Sequence, residues 1–202
     1  MEIIFTIAIL LMSVVIHEVA HGYAALWQGD VTAKYAGRLT LNPIKHLDIF
    51  GSIIVPGILA ILPGGIIFGW AKPVPYNPYN LRNQRWGELF VAIAGPISNI
   101  LIAIIFALII RFLGPEILGQ ASFELSYYVV LINMVLAFFN LLPIPPLDGS
   151  KILFSILNQE TANNIRISLE RFGFVILLFF IFFIWPLFSS LIFAATNFLV
   201  GI

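Results

Sequence analysis

The chain contains no cysteine. Disulfides, thiolate metal ligands and cysteine nucleophiles are therefore excluded together, and any metal site must draw on His, Asp, Glu or Asn. Charge is scarce as well. Ten basic and ten acidic residues make up 10% of the 202 positions, where soluble domains carry about 25%. The two signs cancel, so nothing here attracts a nucleic acid. What fills the chain instead is apolar: 60% of the residues are hydrophobic, which points to an integral membrane protein. The first apolar run has no basic n-region and carries charged residues internally, so it reads as a permanent span and not as a signal peptide.

Four runs reach the length of about 20 residues needed to cross the hydrocarbon core: Ile3 to Trp27, Leu89 to Ile110, Phe123 to Leu142, and Phe172 to about Leu199. Trp185-Pro186 predicts a kink in the last of them. A fifth run, Ile49 to Phe68, is broken by Pro56-Gly57 and Pro63-Gly64-Gly65, which leave no uninterrupted helix of spanning length. Lys and Arg concentrate in cytoplasmic loops, and this bias chooses between two topologies. If the fifth run crosses, the basic residues divide four against six. If it enters and returns, they divide nine against one, with Arg111 alone on the far side. The second pattern predicts four full spans, a re-entrant segment, and both termini outside.

The connecting segments suggest a little more. Partial alternation and β-branched residues in Gly29 to Pro43 predict a short strand or hairpin at the membrane surface. Its exposed edge would offer a place for an extended substrate to pair. The stretch "GWAKPVPYNPYNLRNQ" is loop. "NQETANNIRISLERFG" predicts a short interfacial amphipathic helix capped by Thr161. The expected fold class is thus all-α and polytopic with a small surface β element. It forms a single domain, 1–202, with a core over 1–157 and a C-terminal amphipathic helix and last span over 158–202.

Within the first span lies "HEVAH". His17 and His21, four residues apart, share one helix face one turn apart, a spacing that suits two ligands of a tetrahedral zinc ion. Glu18 stands beside that pair, where a base can take a proton from water at the metal. The bland alternative is a chance match, with both rings bonded to neighbouring helices. Cost argues against it, because a charged residue at the centre of a span costs at least roughly 2.5–3.5 kcal/mol.

Catalytic zinc usually takes a third protein ligand, and Asp148 in "FFNLLPIPPLDGSKIL" is the best candidate. It follows a span directly, beyond three prolines that break the helix. A helix N-cap is the alternative role for this residue. Depth favours the ligand reading. His21 lies about 9 Å along the helix from Trp27 at 1.5 Å per residue, and with four spans Asp148 emerges at that same end. His46 and Asp30 are weaker candidates, the first suiting a surface or entrance position and the second a turn.

"HEVAHG", "AGPISN" (Ala94 to Asn99) and "NLLPIPPLDG", in that order, together with "GRLTLNPIKHLD" and "GWAKPVPYNP", resemble the site-2 protease family of intramembrane zinc metalloproteases, in its short prokaryotic branch. The likeness runs from His17 to Lys151, and the last span matches less well. It implies Zn2+ held by His17, His21 and Asp148, with Glu18 as catalytic base. It further implies a three-span core with its site toward the cytoplasmic side of the plasma (inner) membrane. Single-span membrane proteins would be the substrates, cut within or near their spans. Asn140 would assist as an oxyanion or carbonyl donor, against an interhelical hydrogen bond as its plainer role. For Asn99 helix packing is expected, with Gly95 allowing close approach. The chain leaves no room for the inserted PDZ domain of some relatives. Two rival functions remain: a metal transporter or sensor using the same His and Asp residues, and an inactive membrane scaffold. The intact Glu18 argues against the scaffold.

Overall fold

The computed structural model describes residues 2–55, 58 and 70–202. Its long helices are α1 (Glu2–Trp27), α3 (Gly87–Leu118), α4 (Gln120–Asn140), α6 (Gln159–Phe179) and α7 (Trp185–Val200). Among the described residues two short ones, α2 (Thr32–Tyr35) and α5 (Asp148–Ile156), accompany them. Among the described residues four stretches are long and apolar enough to cross a membrane: Ile4–Trp27, Gly87–Leu118, Gln120–Asn140 and Glu160–Val200. Their large side chains are widely exposed, Phe112 at 78% and Phe198 at 80%. In water such exposure would be untenable, whereas lipid covers it without penalty.

Helix α3 is central, packing against α1, α4 and α5. It meets α4 and α7 through small residues. Ala103, Ala107 and Ile110 of α3 bury against Val130 and Met134 of α4 and Ile192 and Val200 of α7. Small side chains at such an interface let helix backbones approach closely. At the far end α3 breaks where Gly114 adopts φ +63°, and Gly119 with φ +74° turns the chain into α4. Both conformations are ones that L side chains rarely take.

Where Trp185-Pro186 predicts a kink, the last span departs from regular α geometry one turn earlier. The helix widens into a π-helical turn over Phe180–Ile184 and restarts with Pro186 inside its first turn. A proline there has no N–H to give, and the wider turn accommodates its ring. Helices α6 and α7 thereby run on as one helical stretch.

The strand expected over Gly29–Pro43 is corrected: among the described residues there is no strand. That stretch forms α2 instead, followed by a 3-10 turn at Pro43–His46. The cause is Asp30, whose Oδ1 accepts from the Thr32 N–H at 3.1 Å and the Thr32 hydroxyl at 2.5 Å. A side chain that bonds the backbone two residues on turns the chain before it can extend. With the strand goes the expected edge for substrate pairing.

Most of the expected re-entrant run, Ile49 to Phe68, lies outside the described residues. Its flanks do not. The Trp70 N–H donates to Gly51 O at 3.0 Å, and the Ser52 hydroxyl donates to Trp70 O at 2.9 Å.

Candidate metal centre

Helix α1 carries His17 and His21 one turn apart, both buried. Helix α5 begins at Asp148, with Leu147 as its N-cap residue, so Asp148 is not the cap. Its carboxylate instead crosses to α1: Oδ2 lies 3.1 Å from His17 Nε2 and 3.0 Å from His21 Nε2, while the two Nε2 atoms are 3.0 Å apart. Three candidate ligand atoms from positions 17, 21 and 148 thus converge on one point.

Two close approaches make this possible. Gly149 lies against the end of α4, where an added Cβ would overlap the carbonyl oxygens of Leu141 and Leu142. This seats the first turn of α5 directly on the preceding helix. Gly95 of α3 lies against the imidazoles, where a Cβ would overlap His21 Nε2 and come within 2.6 Å of His17 Nε2.

The hydrogen bonds fix which ring nitrogens carry protons. His21 Nδ1 lies 2.7 Å from Val91 O. A backbone carbonyl only accepts, so this Nδ1 carries the hydrogen. His17 Nδ1 lies 2.6 Å from Asn99 Oδ1 and donates in the same way. In the neutral rings both Nε2 atoms are then lone pairs. Two such lone pairs and a carboxylate oxygen about 3 Å apart repel one another, and one proton can bridge only one pair at a time. A cation satisfies all three. Tetrahedral zinc with bonds of about 2.0–2.1 Å would hold its ligand atoms about 3.3 Å apart, close to the spacing found. The donor set of two neutral imidazoles and one carboxylate suits zinc, leaving a fourth position.

Around this cluster the chain supplies further groups. Asp148 Oδ1 lies 3.4 Å from Lys151 Nζ, so the two carboxylate oxygens face different partners. Lys151 also sits over the Tyr76 ring. Burial, then the neighbouring carboxylates of Glu88 and Asp148, push the Tyr76 hydroxyl well above its usual pKa, which keeps it a neutral donor. Tyr76, Pro145, Ser150, Lys151 and Arg166 line an open cleft of about 550 Å³ beside Asp148. Glu18 Oε2 accepts the Val74 N–H at 2.8 Å, so a loop segment lies on the carboxylate next to His17.

The other candidate residues make contacts of their own. The Asn140 amide donates to Leu136 O of its own helix at 3.0 Å. His46 is buried in its turn, with Nε2 2.9 Å from Thr40 O. Asp30 braces loops, accepting from Asn77 N–H and the Asn80 amide as well as Thr32. Asn99, expected to serve packing, bonds His17 directly. Asn133 and Ser13 stand behind Asn99, and sequence reasoning misses both. The signal available was a polar residue within an apolar span.

Paired histidines and a carboxylate on neighbouring helices, with a further acidic residue alongside, are the equipment of a metallopeptidase. Comparison with known proteins agrees and narrows the class. The model of peptidase family M50 matches residues 5–126 and 115–184. "Putative zinc metalloprotease YwhC" of Bacillus subtilis is 39% identical over 199 residues, covering 96% of this chain and 86% of that protein. "Putative zinc metalloprotease Rip2" of Mycolicibacterium smegmatis is 33% identical, over 86% of this chain and 64% of its own length. "Zinc metalloprotease MJ0392" of Methanocaldococcus jannaschii is 29% identical, over 75% of this chain and 34% of its own. No solved structure gives a significant match. The chain belongs to peptidase family M50, the site-2 protease family. It is a zinc metalloprotease and a multi-pass membrane protein.

Proposed function

We propose that this enzyme hydrolyses peptide bonds within or near the membrane-spanning segments of other proteins, with His17, His21 and Asp148 holding the zinc and Glu18 acting as base. The observation that carries the reading is the convergence of His17 Nε2, His21 Nε2 and Asp148 Oδ2 inside a bundle of lipid-exposed helices. A peptide bond cut there must itself be at membrane depth. When bound, zinc supplies Lewis acidity that polarises the scissile carbonyl and acidifies water.

The remaining chemistry belongs to the chain. Glu18 takes the proton of the attacking water and passes it to the leaving amine. Asn99 and the Val91 carbonyl hold the imidazoles with Nε2 toward the reaction centre. The cleft beside Asp148, to which Tyr76, Ser150 and Lys151 contribute polar groups among apolar neighbours, offers an approach for water. Substrates are single-span membrane proteins, and a substrate helix must unwind locally, because its carbonyls are otherwise tied to its own N–H groups.

The site faces the cytoplasm in this reading. The nine-to-one division of basic residues supports it, and so does the contact of Trp70 with Gly51 and Ser52. That contact brings together the two flanks of the Pro- and Gly-rich run, as a chain returning to the side it left requires.

The test is cleavage of a single-span reporter in liposomes by wild type and by Glu18→Gln. Cleavage by wild type alone, with zinc bound to both proteins, is the expected result. Equal cleavage by the two would overturn the assignment of Glu18.

A further inference from the structure

Three buried polar side chains cross the helix bundle behind the metal centre, and their hydrogen bonds have only one consistent direction. Asn133 of α4 is fully buried. Its Nδ2 lies 2.9 Å from Val129 O and 2.9 Å from Ser13 Oγ. The Val129 carbonyl only accepts, so the NH2 of Asn133 must face it. Asn133 Oδ1 is then turned to Asn99 Nδ2, 2.8 Å away. Asn99, also fully buried, must in turn present Oδ1 to His17 Nδ1.

We propose that Asn133 is a positioning residue for the metal centre: through Asn99 it holds His17 in the tautomer whose Nε2 is free for the ion. The inference rests on the proposed ligand roles of His17, His21 and Asp148. Were Asn99 rotated by half a turn, its NH2 would face His17 Nδ1. The ring hydrogen would then move to Nε2, directly into the space shared with His21 Nε2 and Asp148 Oδ2. An asparagine has two faces and needs partners to choose between them: Asn133 Oδ1 takes the Asn99 amide at 2.8 Å, and the Ser13 carbonyl adds a longer contact of 3.4 Å to the same NH2. An aspartate at position 99 would need no such partner, since both of its oxygens accept, as in the carboxylate–histidine–zinc arrangement.

This asymmetry separates positioning from mere helix packing. Zinc affinity is measured by chelator competition on detergent-purified wild type, Asn133→Leu, Asn99→Asp, the double variant and His17→Ala. Partners beyond the ligands typically carry about 10–100-fold in metal affinity, and Asn133→Leu should fall at the lower end, about tenfold weaker. Asn99→Asp alone sets a carboxylate oxygen against Asn133 Oδ1, two acceptors where donor and acceptor now lie 2.8 Å apart, and should bind more weakly than wild type. The double variant removes that clash and should bind zinc more tightly than either single variant, because a carboxylate at position 99 makes Asn133 dispensable for affinity. Wild-type affinity in Asn133→Leu overturns the proposal, as does a double variant weakened as much as Asn133→Leu. Asn133→Ala, which removes the amide without adding bulk, is read the same way if the leucine variant does not fold. Unchanged affinity in His17→Ala would instead overturn the ligand assignment beneath it.

Discussion

Glu18 and Val74 are joined side chain to backbone, the carboxylate Oε2 accepting the Val74 N–H at 2.8 Å across 56 positions of sequence. The segment so held is fixed from its other side by Arg38, whose Nη2 donates to the carbonyls of Lys72 and Pro73 at 3.1 and 3.2 Å. The acidic residue proposed as base therefore also anchors a loop over the centre. A glutamine can accept the same N–H but cannot take a proton. Glu18→Gln should keep the loop and full zinc occupancy while losing at least about 10²-fold in turnover, the low end for a general base. Zinc analysis and reporter cleavage on the same preparation check it. A transporter would be indifferent to this change.

Gly95 offers a test that touches no ionisable group. A methyl at this position would overlap the rings of His17 and His21. Helix α3 is locked between α1 and α4, so the rings must move instead of the backbone. Overpacking of this kind costs about 1–3 kcal/mol. Gly95→Ala should retain its helical circular dichroism, lose zinc affinity and lose activity with it. Serine at the same place should do no better.

Zinc should also stabilise the fold measurably. Binding to the folded state alone adds about 4 kcal/mol at a thousandfold excess over Kd. Chelation should therefore lower the Tm of wild type in detergent. Asp148→Asn keeps the shape of the side chain but removes its charge. Its Tm should already be low and should not respond to the chelator.

Asp30 gives a pH dependence far from the metal. Burial works against its charge, but donations from the Thr32 hydroxyl, the Asn77 N–H, the Asn80 amide and the Thr32 N–H outweigh it. Together they hold the carboxyl below its ordinary value of 3.8. A folded-state pKa below the unfolded one means stabilisation that is complete above the ordinary value and lost as pH falls through it toward the folded value. As pH falls below about 4, wild type should lose Tm more steeply than Asp30→Asn, which should be less stable at neutral pH and flatter in acid.

How far the sequence could be read depended on whether a residue's role was local. The spans followed from apolar length, and the pairing of His17 with His21 followed from helical spacing. Asp148 required a topological argument, because its partners lie 127 and 131 positions away, and loop charges supplied one. Asn99 reads as a packing residue because its partner His17 is 82 residues distant, and no local pattern connects them. Asn133 is further removed, touching the metal residues only through another side chain. The Gly29–Pro43 strand failed for the opposite reason: alternation is a weak local signal, and the bonds of Asp30 to Thr32 overrode it.

The central claim is that one zinc ion sits between α1 and α5. Anomalous diffraction from crystals of the active protein, recorded on both sides of the zinc absorption edge, tests it most directly. A single strong peak per chain is expected between His17 Nε2, His21 Nε2 and Asp148 Oδ2. A peak elsewhere, or none at that position in protein that still cleaves its reporter, would contradict it.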